Sequence, residues 1–81
     1  MLTVYTATHC PVYNRTWNLV AQLNQHHPQI PMQVINLDDP EIERPSLVIG
    51  TPTYMWNGKI IFLGNPSETD LIFYLSKLKA L

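Results

Sequence analysis

The chain has one cysteine, Cys10, placed directly before Pro11 at the junction of a strand-like run and an apolar stripe with helical spacing. Proline suits the first position of a helix, where its missing N–H costs nothing, so Cys10 is expected at a helix N-terminus. Free backbone N–H groups and the positive end of the helix dipole lower a thiol's pKa there, and the thiolate is the form that attacks a disulfide. His9 is the neighbouring residue, and an imidazolium beside a thiol acts in the same direction. A nucleophilic thiol is one reading of these residues. The plainer one is a small half-buried residue at a helix cap, with a solvated loop histidine next to it.

Other chemistries are poorly provided for. A lone cysteine cannot form an internal disulfide, so any disulfide must be made with another molecule, and a reducing compartment, the cytosol, is expected. His26 and His27 are far along the chain from Cys10 and no zinc-ligand spacing is present, so no metal is expected. Five basic and six acidic residues are scattered through 81 positions with a net charge of −1, which gives no footprint for nucleic acid or an anionic membrane. No apolar run approaches the roughly 18 residues of a spanning helix, and the N-terminus has no basic leader. With 46% apolar and 14% charged residues the composition is globular, and the length fits a single domain over 1–81.

The elements that would position Cys10 follow from pattern. Leu2 to Thr6 alternates apolar and polar residues and reads as a strand. Pro11 to about His27 carries Val12, Tyr13, Thr16, Trp17, Leu19, Val20 and Leu23 as a helical stripe. Met32 to Leu37 is a second strand, and the order strand, helix, strand implies a right-handed parallel crossover. Asp38-Asp39-Pro40 offers a short helix start, limited by Pro45. Tyr54 to Trp56 and Lys59 to Leu63 flank Asn57-Gly58, the strongest short hairpin signal, because both central residues of the tight turn need positive φ. Ser67, with Asp70 three residues on, resembles a capping arrangement for a last helix carrying Leu71, Ile72, Tyr74, Leu75 and Leu78. Lys77 and Lys79 suit its C-terminal dipole. Trp17, Trp56 and Phe62 are expected mainly in the core, but an edge exposing Trp56, Ile60 and Phe62 would offer a contact for a partner chain.

The order βαβ then ββα, Cys-Pro at the first strand–helix junction, and Thr51-Pro52 just before the hairpin together resemble the thioredoxin/glutaredoxin superfamily over nearly the whole chain. Cys10-Pro11-Val12-Tyr13 is similar to the glutaredoxin motif Cys-Pro-Tyr-Cys in degenerate form. Gly64-Asn65-Pro66-Ser67-Glu68-Thr69-Asp70-Leu71 is closer to the thioredoxin segment. The resemblance implies an α/β fold with a four-stranded mixed sheet, the second strand beside the first, then the third and fourth, and helices on both faces. It also implies a cis bond before Pro52, packed against Cys10, and a Thr51 backbone that pairs with glutathione or a peptide. The N-terminus of the last helix, at Ser67, would receive a glutathione carboxylate.

Two positions depart from the family pattern. Tyr13 occupies the place of the resolving cysteine, so a mixed disulfide cannot be cleared from within and only a monothiol cycle is left. Its phenol either hydrogen-bonds near the sulfur or is an aromatic on the core side of the first helix. Ala7 replaces the usual upstream lysine, leaving His9 as a partial substitute. The cluster-binding monothiol type carries glycine after its cysteine, where this chain has Pro11. Two functions follow. One is a monothiol thiol–disulfide oxidoreductase using Cys10, with Thr51, Pro52, Tyr13, His9 and Ser67 about the substrate and glutathione as co-substrate, acting as a monomer or weak dimer. The other is a redox-inactive module of the same fold, binding a protein or peptide through the same groove.

Overall fold

In the computed structural model, which describes residues 1–78, the elements are β1 (Leu2–Thr6), α1 (Tyr13–His26), β2 (Met32–Asn36), β3 (Thr53–Trp56), β4 (Lys59–Leu63) and α2 (Glu68–Lys77). The strands form one four-stranded mixed sheet in the order β2-β1-β3-β4. β1 runs parallel to β2 and antiparallel to β3, which is antiparallel to β4. The expectation for Lys79 lies outside the described residues.

The alternation read in β1 sets the sheet's two faces. Leu2, Val4 and Thr6 are buried while Thr3 and Tyr5 are half-buried. Residues opposite one another in a sheet share a face. Val4 pairs with Val34 and Tyr54, so β2 and β3 add Val34 and Tyr54 to the Leu2–Val4 side. Leu19, Val20 and Leu23 of α1 and Leu71 and Leu75 of α2 pack into that same cluster. Each such fully buried aliphatic side chain contributes about 1.5–3 kcal/mol.

Both helices therefore lie on one face, which corrects the expectation of helices on both faces. The missing element is the short helix after Asp38. Asn36 Oδ1 accepts from the Asp38 N–H and Asp39 Oδ1 from the Glu41 N–H, each at 3.0 Å. These local bonds offer the backbone an alternative to helix, and the connection from Leu37 to Pro52 remains turns and irregular chain. It buries Val48 outside the main cluster.

The hairpin forms as the sequence indicates, with φ of 51° at Asn57 and 84° at Gly58. Ser67 caps α2, its Oγ accepting from the Asp70 N–H at 3.0 Å, with Glu68 and Asp70 in the first turn and Lys77 in the last. α1 begins at Tyr13, later than Pro11. Its N-cap is Val12, which has no side-chain acceptor, and the chain enters through a tight turn in which the Tyr13 N–H donates to the Cys10 carbonyl. Of the aromatics, Trp56 and Phe62 pack against the core as expected and Trp17 does not. Trp17 is 41% exposed, and Trp56 is half-buried on β3, an inner strand, so it does not belong to an edge.

Candidate functional site

Cys10 lies upstream of the first helical turn, in a loop fastened at several points. Its N–H donates to the Ala7 carbonyl at 2.9 Å. The next residue back, His9, donates its backbone N–H to Asp38 Oδ2 at 2.9 Å, and its ring Nδ1 lies 2.8 Å from both carboxylate oxygens. The His9 ring, followed by its backbone N–H, holds the Asp38 carboxyl below the usual aspartate value. Expected beside the thiol, the His9 imidazole thus has Asp38 as its partner and stands exposed at the end of β2.

The thiol of Cys10 is half-buried and donates to the Thr51 carbonyl at 3.6 Å. The Thr51–Pro52 peptide bond is cis and Pro52 is buried. The two features inferred from separate parts of the sequence, Cys-Pro and Thr-Pro, therefore meet in space. The Thr51 end of this contact is held in turn, because the Thr53 hydroxyl donates to the Gly50 carbonyl at 2.6 Å. Tyr13 does not enter the core cluster or the neighbouring cleft. It is half-buried with its ring edge-on to Trp17, the centroids 6.4 Å apart.

A cleft of about 530 Å³, walled by Val12, Arg15 and Leu19 of the first helical segment, by Thr51 and Pro52, and by Gly64 to Ser67, adjoins Cys10 through Thr51, while Cys10 itself does not line it. Among the described residues, Arg15 is the cleft's one ionisable lining residue. Ser67 lines it while its oxygen serves the helix cap, which leaves its hydroxyl proton to donate. Glu68, which would oppose an anion at this helix start, is turned toward α1: its Oε2 lies 2.8 Å from His26 Nδ1 and 3.9 Å from His27 Nε2. The cleft is therefore neutral to positive in character. Among the described residues, no three His, Cys, Asp or Glu side chains come together as a metal-binding group.

Two cleft residues were missed at the level of sequence. Val12, Arg15 and Leu19 are spaced as one helical face, so Arg15 is a charged residue placed between apolar neighbours on the stripe, and that spacing is the signal that identifies it. Asn65 reads only as a turn residue between Gly64 and Pro66. Its Oδ1 accepts from the Tyr54 hydroxyl at 2.8 Å and the Thr16 hydroxyl at 3.1 Å, tying the cleft floor to β3 and α1. Burial pushes the Tyr54 phenol well above its ordinary value. No local pattern announces this contact, since it joins positions 49 residues apart in one case. No protein-family model matches the chain, and no curated protein or solved structure matches it significantly.

Proposed function

We propose that this is a thioredoxin-like domain performing monothiol thiol–disulfide exchange, with Cys10 as nucleophile and glutathione as co-substrate. The observation that carries the reading is the contact of the Cys10 thiol with the Thr51 carbonyl at the rim of a cleft whose one charged wall residue is Arg15. Glutathione is a peptide with two carboxylates, and the cleft offers it a guanidinium, the Ser67 hydroxyl and the backbone of Thr51. Arginine binds carboxylates through paired N–H donors, which here would replace the lysine absent at Ala7.

The cycle balances without an outside oxidant. The Cys10 thiolate attacks the glutathionyl sulfur of a mixed disulfide, the Cys10–glutathione disulfide forms, and the substrate leaves as thiolate and takes a proton. A second glutathione thiolate then attacks the same glutathionyl sulfur, releasing glutathione disulfide and restoring Cys10. Tyr13 in place of a second cysteine makes the external thiol obligatory.

The test is incubation with a glutathionylated peptide, followed by mass spectrometry of the protein and by reductase-coupled turnover. The expected result is a glutathione adduct on Cys10 that reduced glutathione removes, and no adduct with Cys10→Ser. Adduct formation no faster than at a cysteine in an unfolded peptide of the same local sequence would overturn the assignment. In that event the binding-module reading takes its place, supported by Leu47 and Ile49, which are 58% and 82% exposed just ahead of Thr51.

A further inference from the structure

The sheet has two outer strands, and they are protected very differently. β4 carries Lys59 and a register irregularity opposite Tyr54/Met55, both of which discourage pairing with another chain. β2 reads Met32-Gln33-Val34-Ile35-Asn36, with no charge and no proline, in unbroken register with β1. Its inner side is occupied: the Leu2 N–H donates to the Pro31 carbonyl and the Leu37 N–H to the Thr6 carbonyl. Alternate residues of a parallel ladder face the same neighbour, so Gln33 and Ile35 also face β1. The backbone groups of Met32, Val34 and Asn36 point outward.

We propose that this edge pairs with a second copy of the chain, the two β2 strands running antiparallel about a two-fold axis at Val34 and joining the sheets into one. The outward set is symmetric about its middle member. In this register Val34 meets the partner's Val34, and Met32 meets the partner's Asn36, each as a pair exchanging both N–H···O bonds. The charge pattern is compatible with the same occupant. At a two-fold axis a residue meets its own copy, so any charge there is apposed to a like charge. The β2 edge and the α1 residues beside it, Trp17, Val20, Ala21 and Asn24, include no charged side chain. Asp38, past the strand end, is paired with His9.

The helix side completes the fit. A trough of about 380 Å³ runs between α1 and β2, lined by Trp17, Val20, Ala21, Met32 and Val34. A two-fold axis perpendicular to the sheet puts both copies of α1 on the same side, so the trough of one copy adjoins that of the other. Trp17, 41% exposed in the single chain, is the large aromatic available to fill the joint, and aromatic anchors of this kind carry much of the energy of small interfaces.

Sedimentation equilibrium of the intact protein from micromolar to millimolar concentration tests the proposal. The expected result is a monomer–dimer equilibrium that changes little between low and high salt, because no ion pairs hold it. Ala21→Lys, at an exposed helix position that leaves the core untouched, puts like charges at the joint and is expected to weaken dimerisation at least tenfold. Leu63→Glu on β4, where Leu63 is 67% exposed, is expected to leave it unchanged. A protein that stays monomeric at millimolar concentration overturns the proposal, as does a dimer that survives Ala21→Lys and is lost with Leu63→Glu. Capture of an extended peptide on β2 by an otherwise monomeric protein overturns it in favour of a peptide site.

Discussion

Asn65→Ala offers the most direct measure of how the cleft floor is held. The side-chain oxygen of Asn65 receives two buried hydroxyls, from Tyr54 and Thr16, both with no exposed surface. Their fates differ once the amide is gone. Thr16 keeps an acceptor, the Val12 carbonyl at 3.1 Å, whereas among the described residues the Tyr54 hydroxyl has no acceptor besides Asn65. An orphaned buried hydroxyl costs about 1–3 kcal/mol. At about 2 kcal/mol the variant should melt roughly 8–16 °C below the parent, a large effect for a domain of this size. Tyr54→Phe alone removes one neutral hydrogen bond, about 1 kcal/mol. In the double variant the orphaned hydroxyl no longer exists, so the losses should not add: with a coupling of about 1 kcal/mol the double variant should lose about 2 kcal/mol, no more than Asn65→Ala alone. Urea unfolding of all four proteins reads the cycle. Strictly additive losses, or an Asn65→Ala variant within about 0.5 kcal/mol of the parent, would refute the reasoning.

Two pH responses follow from the same structure. The Tyr54 phenol is raised by burial, so its contribution to stability is complete below the ordinary tyrosine value near 10 and is lost as pH climbs beyond it. Alkaline unfolding monitored by tyrosinate absorbance should start above about pH 10 and move upward in Tyr54→Phe. Asp38 is lowered by His9, so its contribution is present above the ordinary value of 3.8 and disappears as pH falls through the lower folded one. Carbon-detected NMR titration should find the Asp38 midpoint below that of an exposed aspartate, and His9→Ala should return it to the ordinary range.

How much of this was readable in the residues varies by element. Leu2–Thr6 and the Asn57-Gly58 hairpin were plain because alternation and positive-φ chemistry are local properties. The meeting of Cys10 with Thr51 was expected only from the resemblance that the two dipeptides carry, and no local pattern announces it. The stretch after Asp38 misled because Asp-Asp-Pro serves a helix start and an Asx turn equally well, and the bonds that form are those of the turn. The site was half visible for a related reason. Cys10, Thr51, Pro52 and Ser67 stand at element ends, where sequence carries signals. Arg15 and Asn65 became cleft residues only through packing between distant segments. His9 was assigned to the thiol by adjacency, yet its partner, Asp38, is 29 positions away.

The walls of the cleft come from three stretches of chain, near positions 12–19, 51–52 and 64–67. Cys10 and its carbonyl acceptor are 41 residues apart, and the Thr16–Asn65 bond spans 49. Contacts of such sequence separation close late, after the entropy of long loops has been overcome. A chain emerging from synthesis therefore exposes its cysteine first and acquires the surroundings of that cysteine last. Any fragment ending before Gly64 retains the thiol without the cleft, so the exchange proposed for Cys10 requires the completed fold.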